Sequence, residues 1–327
     1  MKTTAPRPDT PAPLLELDKP VLGILLMLGF CVFAPLGDSL AKLVGTVVPV
    51  VQLMMLRFAL QVLFLVPVVW LGRRPWRASP RVMRLTLLRT LLHMGGILCM
   101  FSSLRFLPLA DAVAIAFVMP FLMLILGHFV LDEDVGPRRL AACAVGFVGT
   151  MLVIQPSFSE VGLPALLPLG VAVFFSLFML VTRQIAKQVD PIGMQAVSGT
   201  MATVILLPLL LVTNAFDVPG LTMVAPDAQT WVLVVCIGGI GTLGHLLMTW
   251  SLRYAPASTL APMQYLEIPF ATLIGWAIFR DFPDGLALLG ITVTIASGLY
   301  IILRERAIAR QSPAAPQPHP PAPPPAI

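Results

Sequence analysis

Glu267, Arg57 and Asp38 each interrupt a long apolar run. An ionisable side chain at the centre of a membrane-crossing helix costs at least about 2.5–3.5 kcal/mol, so each needs a reason to be there. Glu267 stands two residues before Pro269, with Gln264 and Tyr265 within one turn before it. It is expected to face a cavity, where a carboxyl can bind a ligand donor or carry a coupling proton. Its structural alternative is an ion pair with another segment. Arg57 is the natural counter-charge, either as a ligand contact or as a partner for Asp38 or Glu267. Asp38 and Lys42 are spaced i, i+4 and can pair on one helix face. Lys42 lies near a segment end and can snorkel to the surface. Asp111 reads as a helix-start acid. His93, His128 and His245 are isolated in sequence, and a lone histidine on an apolar helix is ordinarily hydrogen-bonded structure. His245 is the best functional candidate, sharing a face with Met248 and lying near Trp250. Phe117, Tyr265 and Trp250 are aromatic residues that can stack on a planar ligand.

Other motifs are refused by their context. Gly239-Ile240-Gly241-Thr242-Leu243-Gly244 fits GxGxxG but sits inside an apolar run with no preceding strand, so the dinucleotide reading fails. Small residues there, as at Gly95-Gly96, let helices approach closely. Gly37-Asp38 has no second Gly-Asp pair to supply a protease dyad. HExxH, GxSxG and P-loop patterns are absent from the sequence. Cys31, Cys99, Cys143 and Cys236 all lie in apolar runs with no CxxC spacing and read as packing residues. No cofactor, no metal site and no enzymatic constellation is expected. Any transport is secondary or passive.

The elements that must position these residues follow from composition. Of 327 residues, 57% are hydrophobic and 11% charged, against about 25% charged in soluble domains. Lipid must be the solvent for most of the chain. Ten apolar segments are expected, near 20–42, 48–72, 83–105, 109–131, 137–155, 163–186, 192–213, 229–251, 257–279 and 284–303, each close to the ~20 residues a spanning helix needs. The first is too long for a signal peptide and reads as an uncleaved span. Residues 1–19 form a polar N-terminal segment, and 304–327 a Pro-rich extended tail. With the N-terminus in the cytoplasm, sixteen of the 21 Lys and Arg fall on the cytoplasmic side. Lys42, Arg105 and Arg280 fall on the other side, and Arg57 and Arg89 within spans. That asymmetry fits an even number of spans with both ends inside, and it accounts for the net charge of +5 without nucleic acid.

The chain also repeats itself. Leu104-Arg105-Phe106 with Pro108 matches Leu252-Arg253-Tyr254 with Pro256, and Pro120-Phe121 matches Pro269-Phe270. Two units of five spans, 20–155 and 163–303, are expected. Five is odd, so the second unit enters the membrane inverted, an arrangement found in transporters that rock about a central site. Pro120 and Pro269 each remove a backbone hydrogen bond at equivalent places, and such breaks are tolerated in lipid only against protein or a wet cavity.

The ten spans, the five-plus-five repeat and the two Pro-bearing helices resemble the drug/metabolite transporter superfamily, in particular its EamA branch. The most specific stretch is Arg253-Tyr254-Ala255-Pro256-Ala257-Ser258, then Leu260-Ala261-Pro262, Tyr265-Leu266, Pro269, Gly275-Trp276 and Phe279. It resembles the subgroup of proteobacterial riboflavin importers and S-adenosylmethionine carriers. The resemblance implies an all-α fold with a cavity lined by spans 1, 3, 4, 6, 8 and 9, and both termini cytoplasmic. Glu267 departs from the apolar or amide residue expected at its position, so no ligand role carries over to it. Riboflavin is the leading ligand: its flat ring suits an aromatic cavity, and its ribityl chain suits groups such as Gln264 and Ser103. The alternatives are export of amino acids or other metabolites, an S-adenosylmethionine carrier, and a membrane scaffold acting through the Pro-rich tail. Expected partners are a small molecule, the lipid bilayer of an inner membrane, and a second copy in a homodimer.

Overall fold

The computed structural model describes residues 19–76, 78–132 and 136–311. The N-terminal segment before them and the Pro-rich stretch after residue 311 lie outside the described residues. Within them the chain is helical and carries no strand. Eight of its helical segments are long and apolar enough to cross a membrane, and Glu267–Phe279 and Gly285–Tyr300 are shorter apolar helices. The helices are α1 (Pro20–Val44), α2 (Val50–Leu71), α3 (Pro80–Ser103), α4 (Leu109–Ala116), α5 (Met119–Leu131) and α6 (Pro137–Val161). After a 3-10 turn at Leu163–Leu166 follow α7 (Leu167–Ala186), α8 (Pro191–Ala215), α9 (Ala228–Tyr254), α10 (Ala257–Gln264), α11 (Glu267–Phe279) and α12 (Gly285–Gln311). Proline opens α1, α3, α6 and α8, where its missing N–H costs nothing.

The apolar segments around Pro120 and Pro269 are each divided into a short helix and a longer one. α4 and α10 have 8 residues each, and α5 and α11 have 13 each. The chain breaks at 117–118 and at 265–266, a few residues ahead of each proline. α5 and α11 both end on a left-handed residue, Asp132 (φ 51°) and Arg280 (φ 61°). The match extends from sequence to backbone conformation.

The outside of the bundle is apolar like its core, unlike that of a soluble domain, and several polar side chains are buried. Large apolar side chains such as Trp70, Phe129, Leu163 and Phe216 are exposed, while Arg57, Arg89, His93, Gln61, Gln195 and Glu267 are buried. α1 packs mainly on α9, α3 on α7, α2 on α8 and α6 on α12. Glycines set these approaches. A Cβ on Gly238 would stand 2.6 Å from Leu60 Cβ, and one on Gly298 2.5 Å from Tyr265 Cβ. Phe174 and Phe175 lie against Gly95 and Gly96. Within the GxGxxG run, Gly241 makes room for the Arg57 side chain and Gly244 lies against Phe33 and Phe30, so these glycines serve close approach between helices, as small residues on membrane helices generally do.

Both ends of the bundle carry an ion pair between residues of the two sequence-repeat units. Arg74 Nη1 lies 2.7 Å from Asp190 Oδ1 at one end, and Lys42 Nζ 3.3 Å from Asp281 Oδ2 at the other. Lys42 therefore turns away from Asp38, the i, i+4 partner the spacing allowed. It also donates to Leu107 O (3.1 Å) and lies over the Phe279 ring. Asp111 sits in the first turn of α4. Cys31, Cys99 and Cys236 are unpaired thiols, and the Cys143 side chain lies outside the described residues.

Candidate functional site

A narrow cavity runs between α1, α2, α3, α4, α7, α9 and the start of α11. Its wall is mostly aromatic and aliphatic: Phe30, Phe33, Phe101, Phe117, Phe175 and Met100 line it. Into this apolar shell project Asp38 from α1, Arg57 from α2, His245 from α9 and Glu267 from α11. The helix break at 265–266 brings Glu267 there. It starts α11 as a first-turn acid, where a carboxylate meets the free N–H groups of the new helix. Gly241 makes room for the guanidinium: a Cβ there would stand 2.8 Å from Arg57 Nε.

Arg57 is 4% exposed. Its Nη2 lies 3.0 Å from His245 Nδ1, and its Nη1 has no hydrogen-bond partner among the described residues. His245 Nε2 lies 2.8 Å from His93 Nε2. The His93 ring stacks on Phe178 with centroids 4.6 Å apart. The other face of this aromatic group holds a second buried cation: the Arg89 guanidinium lies 4.4 Å from the Phe178 centroid. Arg89 is 0% exposed and has no carboxylate partner among the described residues. Its guanidinium donates instead to three hydroxyls, Thr182 Oγ1 (2.8 Å), Ser198 Oγ (2.8 Å) and Thr249 Oγ1 (3.4 Å). A polar strand of side chains thus leads from the cavity through His245 and His93 to the neighbourhood of Arg89. His128, the third histidine, is exposed beside Phe129.

Of the residues singled out in the sequence, Asp38, Arg57, Phe117, His245 and Glu267 meet at this cavity. Four others do not line it. Tyr265 is buried between α6 and α12, against Gly146 and Gly298. Gln264 donates to Met179 Sδ (2.9 Å). Ser103 donates back to Met100 O (2.8 Å). Trp250 packs with Leu65, Val69, Ala196 and Leu246. The rings of Phe30, Phe33, Phe101 and Phe175 were not singled out, and a phenylalanine in an apolar run carries no signal of which face it takes. Arg89 carried the signal of any charge inside a span. His93 carried one only in retrospect, because α3 and α9 hold the matching Leu104 and Leu252 motifs.

Among the described residues no group of three His, Cys, Asp or Glu side chains could hold a metal ion. What the cavity can do is hold an apolar or planar body and meet polar groups on it with both signs of charge.

The EamA-like transporter family profile matches residues 21–155 and again residues 162–304. A riboflavin transporter of Rhizobium johnstonii is 28% identical over 231 residues, covering 71% of each chain. An S-adenosylmethionine uptake transporter of Rickettsia bellii is 26% identical over 286 residues, covering 87% of this chain and 94% of the relative. A crystal structure with 20% identity superposes at a TM-score of 0.61 over 88% of this chain and 98% of the other.

Proposed function

Because the chain belongs to the EamA-like transporter family, we propose that it carries a small planar metabolite across an inner membrane by alternating access, with riboflavin uptake as the first reading. It is a transporter of small molecules and not an enzyme. The observation that carries the proposal is the cavity, whose walls come from both matched segments: Asp38, Arg57 and Phe117 from the first, Phe175, His245 and Glu267 from the second. In this reading the shorter apolar helices complete ten spans, and the two segments are inverted units, 20–155 and 163–303, that rock about the cavity. The matching breaks at 117–118 and 265–266 support that symmetry. The cavity is narrow, so a tricyclic ligand enters only as the helices part, which rocking provides. The distribution of Lys and Arg supports a cytoplasmic position for both termini.

Relatives named for riboflavin transport support the first reading, as do the phenyl rings, which suit a flat heterocycle. A second reading, S-adenosylmethionine, is favoured by a specific observation. Asp38 and Glu267 share the cavity with Arg57, and such a set suits a ligand bearing a carboxylate and cationic groups at once.

Uptake of labelled riboflavin and of labelled S-adenosylmethionine into riboflavin-auxotrophic cells, with and without this chain, tests the proposal. Stimulation of riboflavin uptake above background is expected, and stimulation by S-adenosylmethionine alone selects the second reading. No stimulation by either, nor by amino acids, removes the importer reading and favours export. A chain ending at Arg310 is expected to keep its uptake. Loss of uptake on that truncation would instead point to a scaffold working through the Pro-rich tail.

A further inference from the structure

His245 Nδ1 stands within hydrogen-bonding distance of two groups that make opposite demands on it. Arg57 Nη2, at 3.0 Å, is only a donor and needs a bare nitrogen. Gly241 O, at 2.8 Å, is only an acceptor and needs an N–H. One ring nitrogen serves one of them at a time. The far side of the ring is constrained as well, because Nε2 faces His93 Nε2 at 2.8 Å and a single proton must lie between them. With Nδ1 bare, His245 is the Nε2–H tautomer and donates to His93. His93 then carries its own proton on Nδ1, which has no partner among the described residues. With a proton on Nδ1, His245 donates to Gly241 O, and Arg57 faces an N–H instead of a lone pair.

We propose that His245 is a proton-operated switch on Arg57: a proton taken onto Nδ1 from the cavity releases the guanidinium to bind an acceptor oxygen of the ligand. The inference rests on the transporter reading above and deepens it by naming the ligand chemistry, a carboxylate or an imide carbonyl. The released Arg57 brings two open donor groups, because its Nη1 is buried in the cavity wall and unpartnered among the described residues. The proton is balanced simply. One arrives at Nδ1 as the ligand binds, the Nε2 proton shared with His93 stays in place, and the first leaves when Arg57 returns to Nδ1. The charged and titratable groups facing this ring are Asp38 from α1, Arg57 from α2, Arg89 and His93 from α3, and Glu267 from α11 across the cavity. From α7 come the rings of Phe175 and Phe178, and from α8 the neutral Gln195 and Ser198, which bond Thr249 and Arg89. Asp38 and Glu267 are the carboxyls that line the same cavity as Arg57 and His245.

The test begins on the protein without ligand. Imidazole nitrogen resonances of [15N]histidine-labelled protein in lipid nanodiscs, assigned through His245→Gln, are followed from pH 8.5 down to pH 4. Nδ1 of His245 is expected to change from a bare acceptor to an N–H as the pH falls. In Arg57→Met, which has no donor to offer, it is expected to be N–H throughout. A single tautomer over the whole range, or a titration unchanged in Arg57→Met, overturns the switch. The second arm measures riboflavin binding by flavin fluorescence and S-adenosylmethionine binding by calorimetry. With one proton taken up per ligand, affinity is expected to rise by about tenfold per pH unit lost above the transition. If the imidazole titrates as expected and neither probe binds, the switch stands and the ligand reading falls. If a probe binds with no pH dependence to a protein whose imidazole keeps one tautomer, the ligand reading stands and the switch falls.

Discussion

Replacing Arg57 with alanine is expected to reduce transport by at least about thirtyfold, because truncating one member of a buried charged set costs ~2–5 kcal/mol and each 1.4 kcal/mol is a factor of ten. The change removes the donor to His245, and it leaves Asp38 in an apolar cavity without the cation beside it. The guanidinium also fills the space that Gly241 leaves open, so alanine leaves a void as well as an uncompensated charge. Arg57→Lys restores the charge but not the planar fork, and it is expected to recover only part of the rate. Initial rates in proteoliposomes, normalised to protein recovered as a single species after solubilisation, check this. Rates within twofold of the parent chain would show that Arg57 is structural only.

Arg89 leads to a prediction of opposite kind for stability. A buried cation with no carboxylate partner is costly to hold, and apolar replacement of a buried charge is often neutral or stabilising. Two of the hydroxyls that receive it are satisfied without it: Thr182 Oγ1 donates to Phe178 O (2.6 Å) and Thr249 Oγ1 to His245 O (2.7 Å). Arg89→Met is therefore expected to leave the melting temperature unchanged or higher, while transport falls by at least about tenfold. The functional loss is expected because Arg89 belongs to α3, whereas all three hydroxyls sit on α7, α8 and α9. If the two units rock as proposed, neutral hydroxyls hold a guanidinium loosely enough to release it, whereas a carboxylate would lock it. A drop in melting temperature of more than about 10 °C, the scale of several kcal/mol, would mean that Arg89 holds the fold. Unchanged transport would remove it from the mechanism.

Much of the architecture was legible because lipid imposes simple demands. Apolar runs near twenty residues mark helices, and prolines at equivalent places mark the breaks between α4 and α5 and between α10 and α11. Charges inside runs marked the cavity for the same reason: Asp38, Arg57 and Glu267 are too expensive to point at lipid, and they point inward at one place. What could not be read was the face of each neutral polar or aromatic residue. Tyr265 stands two residues before Glu267, yet the break at 265–266 turns it toward Gly146 and Gly298 instead of the cavity. Ser103 satisfies its hydroxyl on its own helix, a choice open to any serine in an apolar helix. The union of His93 and His245 depends on how two helices 152 residues apart in sequence meet, and no spacing within either helix announces it.

Filling the cavity tests most directly whether the ligand passes between the two units. Gly37 lines it, and a Cβ there would meet only Ile240 Cγ2, at an ordinary 3.6 Å, so a side chain at this position starts into the cavity without a backbone clash, and Gly37→Leu is expected to fill it. Gly239→Leu, on α9, is the control, because Gly239 does not line the cavity and its nearest neighbour there, Phe64, would stand 3.8 Å away. In proteoliposomes charged with labelled riboflavin or S-adenosylmethionine, Gly37→Leu is expected to reduce uptake to background with its melting temperature unchanged, while Gly239→Leu transports normally. Uptake by Gly37→Leu at the parent rate would contradict passage through this cavity.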